Sequence, residues 1–158
     1  GNLNLKNFKV CLMALKYLSK KGWKVIITSP NFDPFYRKIT KEIHKITSDK
    51  NIIFIKNLGS FYYHSLLKFA GINKNGVCVG NSSSGIKEAS FFSCPSVNIG
   101  NRQLGRLKPM SVFDVKENKV EIIKKIEKVL GLNKKRKIKY EKNLYFKKNL
   151  KKNINYFF

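Results

Sequence analysis

Acidic residues are scarce. Nine Asp and Glu stand against 33 Lys and Arg in 158 residues, leaving a formal charge of +24. No apolar run approaches the roughly 20 residues of a membrane-spanning helix. The three cysteines, Cys11, Cys78 and Cys94, are odd in number, and their spacing fits no metal motif. That argues against a disulfide framework and predicts reduced core thiols in a cytoplasmic protein. There is no internal repeat and no Pro- or Ser-rich linker to divide the chain. The opening Gly1-Asn2-Leu3-Asn4-Leu5-Lys6 is too polar for a signal peptide, and it lacks an initiator Met, as expected of a segment from within a longer protein.

What remains is one domain's length of chain with an ordinary hydrophobic fraction of 42%, enough to bury a core. A charge of this size attracts polyanions, but Lys is abundant here together with Asn, Ile, Phe and Tyr. A compositional bias would raise the charge without any nucleic-acid partner. The excess is heaviest in residues 131–158, which carry ten of the 33 cations and one acid, Glu141.

Two periodicities alternate along the chain. Phe8, Cys11, Leu12, Leu15 and Leu18 recur at helical spacing up to Gly22. Residues 24–28 then read as a short buried strand. Residues 35–48 predict a helix with Ile39, Ile43 and Ile46 on one face, and residues 51–55 a second strand. Ser60 is placed to cap a helix carrying Phe61, Leu66, Leu67 and Phe69. Residues 76–80, 96–99 and 111–115 predict further strands. The segments between and after them predict a helix from the Ser-rich turn to about Phe92 and another carrying Val120, Ile123, Ile126, Val129 and Leu130. Strands alternating with helices in this way predict an α/β fold, a parallel sheet with helices on both faces. Ligands of such sheets lie outside the carboxyl ends of the strands, which directs attention to loops 29–34, 56–60 and 80–85.

The most informative loop is Gly80-Asn81-Ser82-Ser83-Ser84-Gly85-Ile86-Lys87-Glu88-Ala89. It runs from strand to small-residue turn to helix start, where unpaired amides and serine hydroxyls suit a phosphate; the same serines would equally serve as a plain helix cap. It lacks the Gly-Lys-Ser/Thr of a P-loop and the glycine spacing of a dinucleotide fingerprint. Glu88 either favours the helix dipole or accepts two ribose hydroxyls. Arg102, in a loop after the next strand, is either simply exposed or offers a planar fork to a diphosphate. His44 and His64 read as ordinary surface or packing residues.

This loop, followed by Pro95-Ser96-Val97-Asn98-Ile99-Gly100-Asn101-Arg102-Gln103-Leu104-Gly105-Arg106, closely resembles the UDP-N-acetylglucosamine 2-epimerase family, and most nearly the hydrolysing branch of sialic-acid biosynthesis. Pro30-Asn31-Phe32-Asp33, Lys56-Asn57-Leu58 and Ser111-Val112-Phe113-Asp114-Val115 fall where that family has similar segments. The resemblance covers residues 8–130, with a weaker match at Asn143-Leu144-Tyr145. It implies the C-terminal, nucleotide-binding half of an enzyme with two Rossmann-like domains of GT-B type. Ser82 and Ser83 would contact the UDP diphosphate, with Gly85 in the same turn. Glu88 would hold the ribose, Arg102 a phosphate and the Leu58 backbone the uracil edge, with Asn31 close to the nucleotide. In the family, UDP is eliminated across the sugar C1–C2 bond and water adds to the glycal. The non-hydrolysing branch re-adds UDP instead.

The family's catalytic carboxylates lie mostly in an N-terminal domain that this sequence does not include. The expectation is therefore a chain that binds its partner, UDP or UDP-N-acetylglucosamine, only weakly and does not turn it over. Residues 1–132 would form the nucleotide-binding domain and residues 133–158 a basic helix or tail. No cofactor or metal is expected. The partners would be the missing N-terminal domain and a second copy in a homodimer, with no membrane and no nucleic acid. A further departure is Gly71-Ile72-Asn73-Lys74-Asn75-Gly76, longer than the family's entry into the same strand. Two alternatives stay open: the sugar-nucleotide half of another glycosyltransferase, and a charge-driven nucleic-acid binder.

Overall fold

The computed structural model describes residues 5–29, 36–141 and 145. In chain order the elements are α1 (Leu5–Lys20), β1 (Val25–Thr28), α2 (Tyr36–His44), β2 (Ile52–Ile55), α3 (Gly59–Asn73), β3 (Cys78–Gly80), α4 (Ser84–Lys87), β4 (Ser96–Ile99), β5 (Val112–Val115) and α5 (Lys119–Lys134). All strand pairs are parallel. β1 pairs with β2, and β4 lies between β3 and β5. The architecture is the α/β arrangement that the alternating periodicities predicted. Every residue of β4 is buried, as the middle strand of a parallel sheet covered on both faces must be.

No backbone hydrogen bond joins the two sheets among the described residues. Val25 and Ser29 donate to the Asn51 and Ile55 carbonyls, so the intervening Ile26 and Thr28 turn their main-chain groups away from β2. Helix α1 connects the two halves. Its Leu12 packs with Ile39, Ile43 and Ile52 of the β1–β2 half. Its Ala14 and Leu18 pack with Val97, Val115, Ile122 and Ile126 of the β3–β5 half. The helix stops where Gly22 takes φ +89°, a conformation that costs glycine little. Buried Ser19 then ties it to the turn before β2, donating to Asp49 Oδ2 at 2.7 Å while its own carbonyl accepts from Asn51 Nδ2.

The helices differ from the sequence reading in phase and extent. α2 ends at His44, short of residue 48, although Ile46 is still buried in the turn beyond it. α3 begins earlier than predicted. Its N-cap is Leu58 rather than Ser60, with no side-chain cap bond. Its buried residues are Leu67 and Gly71, whereas Phe61 and Phe69 are 75% and 63% exposed. The helix is apolar around much of its circumference, so periodicity alone did not fix its inner face. It ends where Lys74 adopts the left-handed conformation, within the longer segment noted before β3. α5 starts where Asn118 Oδ1 accepts from the amides of Val120 and Glu121, a good N-cap. Its inward face runs through Ile122, Ile126, Val129 and Leu130, leaving Val120 exposed.

Candidate functional site

β3 and β4 are adjacent and parallel, so the loops after their carboxyl ends lie side by side. A buried side chain fastens them together. Gln103, 2% exposed, donates from Nε2 to the Asn81 carbonyl at 2.7 Å. The Ser-rich turn and the Arg102 loop thus form one surface, although they are far apart in sequence. Gly100 enables the second loop to leave β4 at φ +75°. A Cβ there would sit 2.5 Å from Glu117 Oε1.

Within the turn, Ser84 Oγ donates to Ser82 Oγ at 3.0 Å and is hydrogen-bonded to the Tyr63 hydroxyl, also at 3.0 Å. Ser83 is the residue preceding α4, but its side chain makes no cap bond. Helix capping therefore does not account for its hydroxyl. The helix is also much shorter than predicted. α4 spans four residues, and Glu88 is its C-cap rather than lying one turn into a helix that continues to about Phe92. Gly85 is buried, with room for no more than hydrogen. A Cβ would come within 2.8 Å of Ser96 Oγ on β4. Its place in the structure is close packing of the turn on the sheet.

Glu88 is half-buried and meets His64, with Nε2 2.7 Å from Oε2. The sequence reading missed this contact. It took His64 for an ordinary residue, and nothing in the sequence pairs a histidine on one helix with a glutamate 24 positions later. His44, by contrast, packs its ring edge-on against Phe54. Arg102 is exposed and makes no hydrogen bond or ion pair among the described residues. Leu58 stands just beyond the carboxyl end of β2, in the other sheet. α3 starts there, and its second turn brings Tyr63 to Ser84 and His64 to Glu88. Asn31 lies outside the described residues. A depression of about 220 Å³ borders the second loop, lined by Asn101, Leu104, Lys108 and Asp114 and not by the serines or Glu88.

The cysteines are free. Desolvation pushes the Cys11 and Cys94 thiols up to about 12 and raises Cys78 as well, so all three are protonated packing groups at neutral pH. Among the described residues, no three His, Cys, Asp or Glu side chains gather as a metal site, and no helix is long and apolar enough to cross a membrane.

At the edge of the depression, desolvation raises the Asp114 carboxyl. Hydrogen bonds from Lys108 and Asn98, with the charges of Lys108 and Lys125, outweigh it and hold the carboxyl below its usual 3.8. A carboxyl depressed on folding stabilises the fold above its unfolded pKa, and that contribution is lost as pH falls through the folded value. The melting temperature is therefore expected to drop below pH 3.8. Asp114→Asn should show a shallower drop over that range, measured by thermal melts from pH 7 to pH 2.5. An unchanged acid limb would show that Asp114 does not contribute to it.

The sequence model of the UDP-N-acetylglucosamine 2-epimerase family matches residues 2–157. The chain belongs to that family. It is 36% identical over 124 residues to the GDP/UDP-N,N'-diacetylbacillosamine 2-epimerase (hydrolyzing) of Campylobacter jejuni, covering 75% of this chain and 31% of that protein. It is 34% identical over 119 residues to the UDP-N-acetylglucosamine 2-epimerase of Neisseria meningitidis, covering 75% and 30%. Against the polysialic acid biosynthesis protein P7 of Escherichia coli it is 28% identical over 130 residues. The chain thus matches less than a third of the length of these curated relatives. The parallel α/β architecture fits a Rossmann-like half of such an enzyme.

Proposed function

We propose that this chain is the UDP-binding half of a UDP-N-acetylglucosamine 2-epimerase, cytoplasmic, and not catalytic by itself. The observation that carries the reading is the Gln103–Asn81 hydrogen bond. It unites two loops at the carboxyl ends of neighbouring strands, one bearing Ser82 and Ser83 and the other Arg102. Together they offer hydroxyls and a guanidinium fork to a diphosphate, with Glu88 at the far end of the turn for the ribose. In this reading Leu58 and Asn31 belong to the uracil side of the site. Residues 1–132 form the nucleotide-binding unit and residues 133–158 a basic extension.

Turnover needs a base positioned on the sugar. Among the candidate site residues Glu88 is the only carboxylate, and it is assigned to the ribose. The complete reaction, elimination of UDP followed by addition of water or of UDP, therefore requires groups from a separate N-terminal domain. A second copy of the chain is the other partner this reading allows.

Calorimetric titration with UDP, and with GDP and CMP as controls, tests it. Selective UDP binding is expected. Arg102→Ala should weaken it about 10- to 100-fold, the usual range for losing a hydrogen bond to a charged group. Equal, weak binding of all three nucleotides would show only the attraction of a +24 chain for phosphate.

A further inference from the structure

We infer that His64 is a positioning residue for Glu88, holding one carboxylate oxygen so that the other faces the ribose hydroxyls of a bound nucleoside diphosphate. The inference rests on the proposal that Glu88 is the ribose ligand. Two adjacent residues of α3 clamp the two ends of α4. Tyr63 is hydrogen-bonded to Ser84 at its start, and His64 to Glu88 at its end. The imidazole is itself held in place. Its centroid lies 5.1 Å from the Phe92 ring and 6.0 Å from the Tyr63 ring.

A carboxylate only accepts hydrogen bonds, and its two oxygens are separate acceptor sites. Oε2 is committed to His64. Oε1 has no partner among the described residues. Both side chains are 40% exposed, so a ligand can reach the pair. A free glutamate must lose rotamer freedom when it binds a diol. Here His64 has already fixed the side chain, so less of that loss falls on ligand binding. As an exposed polar contact alone it would add little to stability, which leaves ligand recognition as the effect by which it is measured.

The test compares UDP with 2′-deoxy-UDP, because their affinity ratio reports the ribose contact and not the fold. The wild-type chain is expected to prefer UDP by at least about tenfold. Glu88→Gln should lose most of that preference. His64→Leu should reduce it by roughly three- to tenfold, and His64→Gln, whose amide can still donate to Oε2, should restore most of it. His64→Leu retaining the full preference while Glu88→Gln loses it would overturn the positioning role and leave the ribose assignment standing. A wild-type chain with no preference, or Glu88→Gln keeping it, would overturn the ribose assignment and the inference with it. A measurement on the unaltered chain guards against a variant that fails to fold. The His64 Nε2 resonance should shift on adding UDP and not on adding inorganic phosphate; an unmoved resonance at saturating UDP counts against the inference.

Discussion

Gly71→Ala is expected to destabilise the fold by about 2–3 kcal/mol, the upper part of the usual range of about 1–3 kcal/mol for forcing extra volume into a packed site. Helix propensity alone points the other way, since alanine is favoured over glycine inside a helix by about 1 kcal/mol. The deciding observation is what lies beside Gly71. A Cβ there would overlap the Phe92 carbonyl oxygen and reach 2.9 Å from the Ser93 carbonyl carbon. These are backbone atoms, which cannot swing aside as a long side chain would. The turn they belong to is also held, because the Ser93 and Cys94 amides donate to the Ser90 and Ala89 carbonyls. α3 would have to lift away from the segment after α4, opening the cluster of Leu67, Ala89 and Cys94. Urea denaturation should show a lower midpoint with little change in slope. A stabilised Gly71→Ala would mean that α3 does not approach residues 92–93 as described.

The second large effect is expected at Leu18→Ala, at about 3–5 kcal/mol by analogy with other buried leucine truncations. Leu18 is 1% exposed and packs among residues of β4, β5 and α5. The loss combines apolar area returned to water with a cavity that rigid neighbours fill poorly. Against a typical total of about 5–15 kcal/mol, that is a large fraction of the stability. Met13, on the same helix but 53% exposed, provides the contrast. Met13→Ala should fall within about 0.5 kcal/mol of the parent. Equal midpoints for the two variants would refute the assignment of the buried face of α1.

The strands were the legible part of this sequence. Short runs such as Val25–Thr28 and Ile52–Ile55 are β-branched or apolar and bounded by turn residues, and all five strands form where predicted. The helices were less legible because several carry apolar residues on more than one face. Phe61, Phe69 and Val120 look like core residues and are exposed, and the inward side was decided by which strands lay beneath. The serine turn and the Arg102 loop stood out by their residue types. Gln103, immediately after Arg102, did not, because a buried glutamine looks like an exposed one until its partner across the sheet is known. His64 was missed for the same reason. Its meaning comes from Glu88, and only the packing of α3 against α4 brings the two together.

The division of α1 between two clusters bears on how the molecule comes apart. Each sheet has its own packed core, and among the described helices only α1 places buried residues in both. Sub-global opening should therefore follow the boundary between them. Amides of β1 and β2 would exchange with solvent hydrogen as one group and those of β3, β4 and β5 as another, each with its own protection. The serine turn and the Arg102 loop would remain together in the second group while the first opened and closed.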